Sequence, residues 1–171
     1  MDALKAQTTD VFHQLLYHKA PDLFPECRRH PSSAAYVKVI QWVDAISAEE
    51  EYGKIIDSFM ANVPSARDGL KRVLEKVLQE RRLHWGRLVT AMSFAVDVCV
   101  NSHERYEGST DTISTELATL ICDYVGNWLL RQRGWDGSLD RRRHDKHPSV
   151  VQCLCWLLTA HVCIIVTSIL H

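Results

Sequence analysis

At 171 residues the chain can bury a core of its own as one domain, and a net charge of −1 leaves no basic excess for a nucleic-acid backbone. Only seven glycines and five prolines interrupt long stretches of Ala, Leu, Val, Glu, Arg and Lys, which favours helix over sheet. Six cysteines without a C-x-x-C pair, behind a polar Met1 to Gln7 that is no secretory leader, read as reduced thiols in a cytosol-facing protein; a disulfide framework is the alternative.

Asp2 to Lys19 reads as a first amphipathic helix, with Leu4, Val11, Phe12, Leu15 and Leu16 on one face and Pro21 and Pro25 ending it. The connection from Pro21 to Ser33 is a loop. Ser32-Ser33 can cap a second helix, from Ala34 to about Ser47, carrying Tyr36, Val39, Ile40, Val43 and Ile46, with Asp44 directly following on that face. Glu49-Glu50-Glu51 opens a third, with Tyr52, Ile55, Ile56 and Phe59 as its buried side; acids suit a first turn. After Pro64, Ser65 to Glu80 forms a fourth with the stripe Leu70, Val73, Leu74, Val77 and Leu78.

A tight Trp85-Gly86-Arg87 turn then leads into Leu88 to Val100, apolar almost all round, as a helix surrounded by others must be. Asp97 is its one exception. Asn101 to Asp111 is a polar loop, and Ile113 to Leu130 is a partner helix. Arg131 to Asp140 holds the turn Gly134-Trp135-Asp136-Gly137 between short helical pieces. No stretch alternates with period two, so the fold class is all-α: a helical bundle around a central hydrophobic helix, residues 1–140.

A basic linker, 141–149, contains Arg141-Arg142-Arg143. Residues 150–170 carry no Asp, Glu, Lys or Arg, and about twenty helical residues span a bilayer core. With the basic residues before it held on the cytosolic side, this segment is expected to be a C-terminal transmembrane tail anchor; the alternative is a last core helix. The arginines then face anionic lipid head groups rather than nucleic acid. His161 in that segment is tolerable as a neutral imidazole. Metal, phosphate-loop and nucleophile-elbow spacings are absent, so no enzyme, no cofactor and no metal are expected.

In this order the features resemble the Bcl-2 family of apoptosis regulators over essentially the whole chain. The BH1 signature, an Asn-Trp-Gly-Arg turn into an apolar helix, stands as His84-Trp85-Gly86-Arg87 followed by Leu88, Val89 and Phe94. The BH2 signature stands as Trp128 through Gly134-Trp135-Asp136, with Arg133 where a first glycine is usual. Val11 to Lys19 looks like BH4, and Val39 to Ile46 occupies the place of BH3.

The resemblance implies recognition of a partner's amphipathic BH3 helix in a hydrophobic groove, its aspartate meeting an arginine on the rim. Arg87 takes that role, holding the carboxylate through paired hydrogen bonds, while Gly86 admits the partner backbone. His84, where the family has asparagine, can donate to the same carboxylate and gains charge near neutral pH. Val73, Leu74, Val77 and Leu78 on one side and Leu88, Thr90, Ala91 and Phe94 on the other form the floor, with Tyr52, Ile55, Ile56 and Phe59 as wall. Trp85, Trp128, Gly134 and Trp135 are structural. Ala35 and Val43 stand where an exported BH3 helix has a large anchor and a small residue, which assigns that segment to the protein's own core.

The expected function is that of a prosurvival protein: it sequesters the BH3 helices of Bax/Bak-like and BH3-only proapoptotic proteins and blocks mitochondrial cell death. The alternative is a Bax/Bak-like effector that oligomerises and permeabilises the mitochondrial outer membrane. Homo- or heterodimers are compatible with either. The expected site is the cytosolic face of the mitochondrial outer membrane, with the endoplasmic reticulum or nuclear envelope as alternatives.

Overall fold

The computed structural model describes residues 1–25, 34–79, 83–102, 109–139 and Cys155. Those residues contain six α-helices: α1 (Asp2–Lys19), α2 (Ala34–Ser47), α3 (Glu50–Asn62), α4 (Ala66–Leu78), α5 (Trp85–Asn101) and α6 (Thr110–Arg131). A 3-10 helix, Gly134–Leu139, follows α6.

Local chemistry explains most of the boundaries. Ser65 caps α4 by accepting from the Asp68 amide at 3.2 Å, and Ser109 caps α6 by accepting from Thr112 at 3.3 Å. The expected α4 extends to Glu80, but the helix ends at Leu78, with Gln79 as its C-cap. The expected polar loop before α6 is shorter than Asn101 to Asp111 at both ends, since Asn101 belongs to α5 and Thr110 to α6. The Trp85-Gly86-Arg87 stretch is the first turn of α5 itself rather than a turn before it.

Among the described residues, positive φ angles occur just after α6. Gln132 is the C-cap, and Arg133 then takes φ +67° and Gly134 φ +64°. A helix commonly stops through one left-handed residue, and glycine is the usual choice because a Cβ is strained there. The position where the family pattern has a glycine is therefore one where this chain forces an arginine into the left-handed region.

α5 is the axis, packed against α1, α2, α3 and α4, while α6 packs on α1 and α4. From Arg87 to Cys99 every residue of α5 except Asp97 is buried. Around it α1 contributes Leu4, Val11, Phe12, Leu15 and Leu16, and α4 contributes Leu70, Val73, Leu74, Val77 and Leu78. The expected apolar faces are the buried ones.

One buried hydroxyl joins three elements. Thr8 of α1 donates to the Leu4 carbonyl at 2.8 Å and accepts from the Trp135 indole at 3.1 Å and the Cys122 thiol at 3.5 Å. A hydroxyl has one proton and two lone pairs, so its capacity is filled. Trp135 also lies 5.9 Å from Trp85, whose ring meets Trp128 edge-on at 5.2 Å. The three tryptophans separated along the chain thus close one end of the bundle together. Burial pushes the Cys122 thiol above its ordinary value. Cys99 and Cys122 are buried and Cys155 is exposed.

Among the described residues no helix is long and apolar enough to cross a membrane. The expected basic linker 141–149 and anchor 150–170 lie outside the described residues apart from Cys155, as do Ser32-Ser33.

Candidate functional site

The start of α5 is built by an unusual cap. His84 has extended backbone (φ −150°, ψ 164°), and its Nδ1 accepts from the Arg87 amide at 3.4 Å. That nitrogen can accept only while it carries no proton. His84 therefore has a helix-capping role in addition to the partner contact expected of it, and protonation of Nδ1 would remove that cap. Thr90 turns its hydroxyl back to the Gly86 carbonyl at 2.8 Å, so the methyl group is left for apolar contact.

Arg87, expected on a rim, is 5 % exposed. It is the third residue of α5, directly before the fully buried Leu88, and its side chain is enclosed with that part of the bundle. Of the residues assigned to the groove and its rim, only His84 and Gly86 are not buried.

The apolar members do converge. α4 brings Val73, Leu74, Val77 and Leu78, α5 brings Leu88, Ala91 and Phe94, and α3 brings Tyr52, Ile55, Ile56 and Phe59 into one continuous core. Phe59 packs its ring edge-on against Phe94 with centroids 5.0 Å apart. Gly69 of α4 leaves room for the Phe59 ring: a Cβ there would collide with Val63 Cγ1 and lie 2.9 Å from Phe59 Cζ. The residues expected as floor and wall thus lie in one core, with Phe59 of α3 packed on Phe94 of α5.

Beside this apolar zone stands a polar network that sequence reasoning left unassigned. The Tyr52 hydroxyl donates to Asp97 at 2.7 Å and lies 3.1 Å from Ser93 Oγ. The Ser47 hydroxyl reaches Asp97 at 3.3 Å, and Lys19 Nζ lies 3.5 Å from the same carboxylate. Lys19 also donates to Ser47 at 2.5 Å. Asp97 thus gathers α1, α2 and α3 onto α5. Burial first, and then the Asp97 charge, hold the Tyr52 phenol well above its ordinary value. A lone carboxylate in a helix apolar all round was the available signal, because a half-buried charge needs partners.

α2 faces inward. Ala35, Val39, Val43 and Ile46 are its buried residues, at the spacing of one helical stripe. Asp44 stays half exposed and is held by His18 Nε2 at 2.8 and 3.0 Å. The segment in the place of BH3 packs into its own core, as the sequence implies.

A family model described as apoptosis regulator proteins, Bcl-2 family, matches residues 41–135. The match covers more than half of the chain and runs from α2 to Trp135, taking in both tryptophan-bearing signatures and the α3–α4–α5 face.

Proposed function

Because the chain belongs to the Bcl-2 family of apoptosis regulators, which are non-enzymatic and interact with one another through BH3 segments, we propose that it is a prosurvival member. In this reading the α3–α4–α5 face receives the amphipathic BH3 helix of Bax/Bak-like and BH3-only proteins, and Arg87, enclosed in the unbound chain, is uncovered to meet the partner's aspartate with His84 beside it. The observation that carries it is the disposition of α2. Its apolar stripe packs into the core and its Asp44 is engaged by His18, which supports a chain that receives a BH3 helix rather than lending its own.

The anchoring segment 150–170, with the basic residues of 141–149 on the cytosolic side, would place the bundle on the mitochondrial outer membrane. Alkaline extraction and imaging of the full chain test that placement.

Binding of a BH3 peptide panel to the full chain in detergent is the direct test of the groove. Arg87→Ala is expected to weaken every peptide bearing the aspartate by about tenfold or more, the loss of a charge-assisted hydrogen bond. Binding equal to wild type across the panel would remove Arg87 from the contact. Protection of cells from a death stimulus supports the prosurvival role. Release of cytochrome c from isolated mitochondria by the protein alone would instead make it an effector.

A further inference from the structure

Phe94 is buried with the Phe59 ring of α3 edge-on against it, so a helix that is to touch Phe94 requires α3 to move aside. α3 is attached at its two ends by different chemistry. Towards its C terminus Phe59 rests against Phe94 and Gly69, an apolar contact that a partner's apolar anchor can replace in kind. At its N terminus Tyr52 donates to Asp97, whose side chain is 14 % exposed and whose partner Lys19 is 16 % exposed. That network lies near enough to solvent for water to take over its hydrogen bonds once α3 swings out.

The connections flanking α3 are short, Ala48-Glu49 before it and Val63 to Ser65 after it, so the helix is carried as a strap between α2 and α4. The same network reaches the end of α1. Lys19 contacts both Asp97 and Ser47, and its neighbour His18 holds Asp44 of α2.

We propose that the Tyr52–Asp97 hydrogen bond is a latch that keeps α3 shut over the partner groove, and that Lys19 couples this latch to α1. The proposal rests on the reading of the α3–α4–α5 face as a BH3 groove. The binding-competent state is then the fraction of molecules with α3 open, and apparent affinity is reduced by that fraction. Loosening the latch opens α3 more often and speeds partner entry, although it removes a native contact.

The test compares the full chain with Tyr52→Phe, Asp97→Asn and Lys19→Gln. Hydrogen exchange of the α3 amides and stopped-flow binding of an amphipathic peptide with four apolar anchors and one aspartate are measured for each. Tyr52→Phe keeps the ring and removes only the hydroxyl. It is expected to raise α3 exchange and peptide association by about tenfold, the worth of one hydrogen bond to a charged acceptor, with exchange in α6 unchanged. Lys19→Gln is expected to move both in the same direction by less.

Unchanged α3 exchange in Tyr52→Phe overturns the latch, and so does faster exchange with unaltered association. If the wild type binds no such peptide, the groove reading fails by itself, and exchange then decides alone. A rise confined to α3 upholds the latch, while a rise spread equally over α5 and α6 means general destabilisation and overturns it.

Discussion

The hydroxyl of Thr8 is expected to carry more stability than any single apolar atom of α1. Thr8→Val preserves the shape of the side chain and removes the oxygen. The Trp135 indole N–H, 3.1 Å from that oxygen, and the Cys122 thiol, 3.5 Å from it, then lose their acceptor in a place where Thr8 is fully enclosed and Trp135 nearly so. The Leu4 carbonyl loses only a supplementary donor, since it lies in the helix ladder.

A buried donor left unsatisfied costs about 1–3 kcal/mol, and a thiol is a weak donor that adds little. Valine and threonine have similar helix propensities, so that difference does not mask the effect. For a chain of this size, about 2 kcal/mol corresponds to a melting temperature lower by about 4–8 °C. Thr8→Ser retains the oxygen and should lose about 1 kcal/mol for the missing methyl.

The assay is thermal and urea unfolding of wild type, Thr8→Val, Trp135→Phe and the double variant. Because Phe has no indole N–H, Thr8→Val should cost much less in the Trp135→Phe background, with a coupling of about 1 kcal/mol. Strict additivity, or a Thr8→Val protein as stable as wild type, would show that the hydroxyl does not satisfy Trp135 in solution.

Three further outcomes follow from single positions. Arg133→Gly should stabilise the protein by about 0.5–1 kcal/mol: relief of left-handed strain is worth about 1–2 kcal/mol, partly offset by the freer unfolded chain, and a urea midpoint below wild type would contradict it. Gly69→Ala should destabilise by about 1–2 kcal/mol although alanine is the better helix former, because its Cβ meets Val63 and Phe59; a rise in melting temperature would show that α3 yields freely. The Tyr52 phenol is raised in the folded state, so its contribution is complete below the usual tyrosine value near 10 and declines as pH climbs towards the folded value. Urea midpoints measured from pH 8 to 11 should therefore fall more steeply for wild type than for Tyr52→Phe, and parallel curves would place Tyr52 outside the alkaline transition.

What the sequence alone determined is what depends on near neighbours. The bounds of α1 and α2 coincide with the expected ones because apolar periodicity, and for α1 a following proline, act over a few residues. The buried face of α4 was legible for the same reason, and so was most of the inward stripe of α2, of whose expected members Tyr36 and Ile40 are only partly buried. The start of α5 was not, since a histidine is an uncommon cap and a Trp-Gly-Arg sequence carries no strong helical signal of its own. The tertiary structure decided the rest. Arg87 is enclosed by packing that its local sequence does not encode, and Phe94 of α5 is covered where Phe59 of α3 packs on it. Asp97 could be recognised as a charge in want of partners. Only the folded chain supplies Lys19, Ser47 and Tyr52 from three other helices, because hydrogen bonds form between atoms a few ångströms apart in space, however many residues separate them along the chain.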